Sequence, residues 1–140
     1  MLLGELIDKC DFLEKNIKVY FSSVSKGEVE GENINALIKG SSNDIERYYN
    51  YYYTVLNVSN SIKVELREGK QTTLNNVFLL RDTLSKRIEF LDKIIVDNSY
   101  NVILSDLIDK KEEIVEDLFY INNIINKTIW STEVNVKGLD

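Results

Sequence analysis

The sequence predicts a mainly α fold: an antiparallel hairpin or bundle of long helices with two or three short β-strands, oligomerising through its helix seams. Three observations carry this reading. Four segments repeat apolar residues at alternating spacings of three and four, the mark of a helix packed along one face. The 140 residues contain no proline, so nothing in the chain forces a helix to break. Only short stretches alternate apolar and polar residues in the two-residue period of a half-buried strand. At this length we expect one helical domain over residues 1–140, large enough to bury a modest core.

The longest unbroken period runs from Gln71 to Asp97. Its seam is Leu74, Val77, Arg81, Leu84, Ile88, Leu91 and Ile95, aliphatic except for Arg81. Arg87 flanks the same seam. A guanidinium on a packing face must be paired or must reach outward, because burying it alone costs several kcal/mol. The rest of the chain reads as cover for this helix.

From the start, Leu3, Leu6, Cys10, Leu13, Ile17 and Tyr20 form the seam of a helix over about Leu2 to Ser22. Polar sequence follows to Gly31, where Gly27 and Gly31 bracket a loop or a poor hairpin. Ile34 to Lys39 reads as one or two helical turns closed by Gly40-Ser41-Ser42. Ser42 or Asn43 then caps a third helix with Asp44 and Glu46 in its first turn. Its expected seam is Ile45, Tyr48, Tyr52 and Val55, and it frays in the turn-prone run Asn57-Val58-Ser59-Asn60-Ser61. Ile62, Val64 and Leu66 predict a strand ended by Glu68-Gly69-Lys70. Thr72 or Thr73 caps the central helix. After Asp97-Asn98-Ser99, Tyr100 to Leu104 is a short strand or a connection. Ser105 or Asp106 opens the last helix, with seam residues Leu107, Lys111, Ile114, Leu118, Ile121 and Ile125. Alternation from Thr128 to Val136 predicts a strand that would pair with Ile62–Leu66.

The composition narrows function more than it identifies it. There is no histidine, which removes the usual general base, the commonest metal ligand and every Ser-His or Cys-His pair. Cys10 is the single cysteine, so neither an intrachain disulfide nor a thiolate zinc site can form, and its seam position reads as a small buried hydrophobe. No metal or cofactor is expected. Paired carboxylates such as Glu112-Glu113 and Glu116-Asp117 lie on a helix face and read as solvated surface, and no Gly-rich phosphate loop is present. We therefore expect no enzyme, a carboxylate-only catalyst being the third reading.

Seventeen Lys plus Arg face 23 Asp plus Glu, a net charge of −6 that disfavours DNA or RNA as a partner. No apolar run reaches the roughly 20 residues that cross a bilayer, and the start lacks a signal-peptide pattern. The expectation is a cytoplasmic protein without a membrane partner.

A small anionic ligand held by a few arginines remains open to this composition. Arg81 and Arg87, six positions apart, read as adjoining parts of one face. They would be salt bridges to acids on a neighbouring helix, or a clamp for phosphate or carboxylate, since Arg binds either bidentately. Five of the six residues from Tyr48 to Tyr53 are tyrosine. Tyr48, Tyr49 and Tyr52 would pack inside while Tyr51 and Tyr53 sit at an edge, available to stack a base. Asn57 and Asn60 would cap backbone or read polar edges, and Trp130 would anchor packing or join the stack. These seven, Arg81, Arg87, Asn57, Asn60, Tyr51, Tyr53 and Trp130, are the candidate ligand-binding residues.

Asn57-Val58-Ser59-Asn60, a short strand, Gly69, Thr72-x-Leu74, Arg81-Asp82, Arg87-Ile88 and Trp130-Ser131-Thr132-Glu133 occur in one order. Over about Asn57 to Val134 the chain resembles the septicolysin-like family of small bacterial proteins, with its N-x-T-N turn, G-x-T-L helix start, R-D pair and N-W-x-T-E ending. Ser59 stands where that family has Thr, and the family's basic segment between the last two helices shrinks here to Tyr100–Leu104. The cytolysin activity implied by the family name is not carried over, because no segment here looks membrane-inserting. In architecture the chain is similar to phage-encoded signal sponges, the anti-Thoeris proteins, which are small, helical, oligomeric and non-catalytic. That likeness implies sequestration of a nucleotide-derived signal, a cyclic ADP-ribose variant or cyclic nucleotide, by a homo-oligomer (dimer or hexamer) in a host cytoplasm. The alternative is a structural or interaction protein whose arginines are interfacial salt bridges.

Overall fold

The computed structural model describes residues 1–27, 32–97 and 104–136. Four helices dominate: α1 (Leu3–Ser25), α2 (Glu32–Ser61), α3 (Leu74–Asp97) and α4 (Leu104–Ile129). Between α2 and α3 lie β1 (Lys63–Glu65), a tight 3-10 turn (Arg67–Gly69) and β2 (Gln71–Thr73). The expected mainly α architecture with a small antiparallel strand element is what forms. The chain divides into two compact units, one of Met1–Val58 with Ile129–Asp140 and one of Ser59–Thr128.

In the first unit the α1 seam is the predicted one: Leu3, Leu6, Cys10 and Leu13 are buried. Glu5 accepts a hydrogen bond from the Leu2 N–H at 3.0 Å, satisfying a group at the helix start. The segment after α4 doubles back on this start. Leu2 bridges Glu133 in antiparallel fashion, the Leu3 N–H donates to the Thr132 carbonyl and the Val134 N–H donates to the Met1 carbonyl, both at 2.8 Å. The expected strand over Thr128–Val136 is thereby corrected. Helix α4 continues through Ile129, and the extended residues pair with Met1–Leu3 rather than with Ile62–Leu66.

Helix α2 corrects the sequence reading twice. It runs unbroken through Gly40-Ser41-Ser42 and through Asn57-Val58-Ser59-Asn60-Ser61, so neither a break nor a terminal turn is present. Poor helix formers cost at most about 1 kcal/mol each, and here Ser41 and Ser59 are small residues facing inward, both buried. The buried face also has a different phase from the expected one. Tyr51 is 2% exposed, whereas Tyr52 is 44% exposed.

In the second unit β1 and β2 form a two-stranded antiparallel hairpin in the register Lys63↔Thr73, Val64↔Thr72, Glu65↔Gln71. Strand β1 lies within the predicted Ile62–Leu66, whereas its partner β2 occupies residues whose Thr72 and Thr73 the sequence marks only as caps of the central helix. The cap is there too: Thr73 Oγ1 accepts the Asn76 N–H at 3.2 Å. Helix α3 buries Leu74, Val77 and Leu84 on its predicted seam. Helix α4 buries Ile114, Ile121 and Ile125 on its own. Lys111 of α4 pairs with Asp92 of α3, so the seam cation of α4 is met by an acid of the facing helix. The possible strand at Tyr100–Leu104 falls largely on residues 100–103, outside the described residues.

Candidate functional site

Within the second unit the hairpin tip, α3 and α4 enclose a cleft of about 410 Å³. Its floor is apolar, from Leu66, Leu80, Leu84 and Ile121, and its polar wall carries Arg67, Lys70 and Arg87 with Glu68 and Asp117. Three cations against two carboxylates leave a cationic excess in a chain that is acidic overall. The volume lies in the range of small-molecule sites, and an apolar floor with a few convergent polar groups is their usual make-up.

The hairpin turn puts Arg67 where it is. Glu68 and Gly69 both have positive φ, 65° and 74°, and the Arg67 carbonyl accepts the Lys70 N–H at 3.5 Å. Two successive positive-φ residues are the requirement of a type I′ turn, whose twist matches that of the strands. Gly69 adopts this backbone freely; Glu68 does so at a steric cost of about 1 kcal/mol. Arg67 and Lys70 therefore flank the tip of the two-stranded hairpin.

Arg67 is then held by α4. Its guanidinium carbon lies 4.0 Å from the Tyr120 ring centroid and its Nη1 is 3.6 Å from Asp117 Oδ1. Both ion-pair partners are more than half exposed, so the pair itself contributes little, while the stacking adds about 0.5–1 kcal/mol. The result is orientation: one face of the guanidinium is committed to Tyr120. Arg87 approaches from α3, is exposed, and has no ion pair within 4 Å among the described residues.

The seven residues expected from sequence are divided between the units: Tyr51, Tyr53, Asn57 and Trp130 lie in the first and Asn60, Arg81 and Arg87 in the second. Arg87 lines the cleft and Arg81 does not. Six residues along a helix amount to about 600°, or 120° apart on the wheel, so the two arginines do not share a face. Arg81 instead donates from Nε to Asp82 Oδ1 at 3.1 Å and lies 5.1 Å from the Phe78 ring centroid. Tyr51 belongs to the first unit and is buried, not at an edge. It lines a second cleft of about 340 Å³ with Phe12 and Leu13 of α1 and with Arg47, whose guanidinium carbon is 6.0 Å from its ring. Tyr53 is exposed and rests against Tyr49 and Tyr52, each at 6.4 Å between ring centroids. Asn57 and Asn60 are exposed on the final turns of α2. Trp130 packs over Gly4, its ring atoms 2.6–2.8 Å from where a Cβ would stand.

Arg67, Lys70, Asp117 and Tyr120 were missed. Glu68-Gly69 is a recognisable turn pair, and reading it as a hairpin tip would have drawn attention to the cations on either side. Nothing local announces that Tyr120 meets Arg67.

Elsewhere the titratable groups point away from reactivity. Burial, followed by the charges of Asp11 and Glu14, pushes the Cys10 thiol up to about 11, so it stays protonated near neutrality. Among the described residues no cluster of His, Cys, Asp and Glu could hold a metal ion, and no helix is long and apolar enough to cross a membrane. No protein-family model, curated protein or solved structure matches this chain.

Proposed function

We propose that this protein binds a small anionic, nucleotide-like ligand without transforming it, and that it does so as a homo-oligomer. The observation that carries the reading is the cleft of the second unit, which Arg67, Lys70 and Arg87 line together with apolar Leu66, Leu80, Leu84 and Ile121. In this reading Arg87 meets the phosphate or carboxylate directly. Arg67, oriented by Tyr120 and Asp117, is the second cation, and the apolar floor takes the uncharged part of the ligand. Sequestration needs affinity without turnover, and the chain offers cations and rings but no histidine to act as general base. In a cell such a protein would act as a sponge for a nucleotide-derived signal.

The test is native mass spectrometry with a panel of cyclic nucleotides and ADP-ribose derivatives. One ligand per protomer, bound with its mass unchanged, is the expected result. No adduct with any anion of the panel, or a product of altered mass, would overturn the reading. A second reading, an interaction protein whose arginines are structural ion pairs, is favoured by Arg81, which is committed to Asp82. It predicts an empty panel.

A further inference from the structure

Every described helix carries large apolar side chains away from its buried seam, and on α2 they belong to a second row. Ile38, Ser42, Ile45, Tyr49, Tyr52 and Leu56 follow at spacings of four, three, four, three and four, beside the buried face of Tyr51 and Ser59. Ile38 is 53% exposed, Tyr49 52% and Tyr53, on the flank of the row, 58%. The rings are ordered among themselves: Tyr48 stacks on Tyr52 at 5.9 Å, and Tyr49 and Tyr52 each lean on Tyr53.

We propose that this row is the interface through which α2 pairs, antiparallel, with α2 of a second copy of the chain. The inference rests on the proposed self-association and says which surface mediates it. Three observations point to a second copy as the occupant. The spacing reads the same in both directions, so a two-fold axis at the level of Arg47 superimposes the row on itself, as an isologous interface requires. That register sets Ile38 against Leu56, small Ser42 against large Tyr52, and Ile45 against Tyr49, so each bulky residue meets a complementary partner. The area is of the right order. With about 200 Å² per large side chain, the exposed parts of Ile38, Tyr49, Tyr52 and Tyr53 amount to roughly 400 Å² per copy and 800 Å² per pair. Exposed Ser42 and partly exposed Ile45 and Leu56 add to this, toward the roughly 1,200 Å² at which specific interfaces begin. Tyrosine is also the side chain that interfaces favour, since it combines a rigid apolar face with a hydroxyl that tolerates the rim.

The exposed rows of α3 and α4 fit a second copy less well. Antiparallel pairing of the α3 row, Leu79, Phe90 and Ile94, would bring Lys86 and Arg87, on its two flanks, each beside its own copy near the axis. The α4 row, Ile108, Val115 and Phe119, is interrupted by Glu112 and flanked by Glu116.

Sedimentation equilibrium on the full chain tests this, with Tyr49→Glu/Tyr52→Glu as the interface variant and Phe90→Glu as the control on α3. The expected result is an oligomer for wild type and Phe90→Glu, with self-association weakened at least 100-fold in the tyrosine variant while its helical circular dichroism is retained. A wild-type monomer of 16.2 kDa overturns both this interface and self-association. An oligomer that the tyrosine variant leaves intact overturns the interface alone. A second measurement does not depend on that variant folding. Ser42→Cys and Tyr52→Cys chains, mixed and oxidised at pH 8, should form a disulfide with each other and not with themselves. Buried, protonated Cys10 does not compete. Only self-crosslinks, or none, overturn the antiparallel register.

Discussion

Replacing Gly4 with alanine drives a methyl group into the ring of Trp130. A Cβ at that position would stand 2.6–2.8 Å from three indole carbons, about 1 Å inside ordinary carbon contact. The ring must therefore retreat. Trp130 is 45% exposed, so somewhat more than half of its roughly 200–250 Å² rests on the protein. Losing all of that contact would cost about 3 kcal/mol at 25 cal/mol/Å². Alanine's better helix propensity returns at most about 1 kcal/mol, and less in the first turn. The net expectation is destabilisation by about 1–2 kcal/mol. Trp130 is the single tryptophan, so its emission reports the displacement without interference. Urea unfolding followed by fluorescence should give a lower midpoint, and native emission should shift to the red. A Gly4→Ala protein as stable as wild type, with emission unmoved, would refute the packing of Trp130 on α1.

Three further outcomes follow from the described contacts. Tyr51→Ala should cost about 3–5 kcal/mol as a core aromatic truncation, whereas Tyr53→Ala, measured dilute enough to keep the chain monomeric, should cost under about 1 kcal/mol; chemical denaturation orders the two. Ser59→Ala should stabilise the fold by about 1 kcal/mol in a thermal melt, because its hydroxyl is buried with no hydrogen-bond partner and alanine is the better helix former. The Cys10 thiol is raised in the folded state from 9.0 to about 11, so its stabilising contribution is complete below pH 9 and is lost as pH rises toward 11. Wild type should lose about 2–3 kcal/mol more than Cys10→Ala across that window, and parallel pH profiles would sink the assignment.

How much of this was legible follows from how residue types carry phase. The seams of α1, α3 and α4 are aliphatic against charged, so their buried faces were read correctly from spacing alone. Helix α2 offers tyrosine in five of six consecutive positions, which covers nearly every direction of the wheel and leaves the phase undetermined. Its true seam is marked by Ser41 and Ser59, residues that a hydropathy pattern counts as polar. The β2 strand is three residues long and defined by its partner, and the contact of Met1–Leu3 with Thr132–Val134 joins the ends of the sequence. Neither has a local signal. Arg87 stood out as a cation beside an apolar seam, but its companions in the cleft come from a turn and from α4, brought there only by tertiary folding.

The central claim is that Arg87, and not Arg81, holds the anion. Calorimetric titration of the nucleotide that binds tightest in the mass-spectrometry panel, into wild type, Arg87→Met and Arg81→Met, tests it directly. Arg81 is partly solvent-accessible and Arg87 exposed, so both variants should fold. The account predicts that Arg87→Met weakens binding by about 2–5 kcal/mol, the scale for removing one partner of a desolvated charge pair, with Arg81→Met unchanged. Unchanged affinity in folded Arg87→Met, or a loss confined to Arg81→Met, would contradict it.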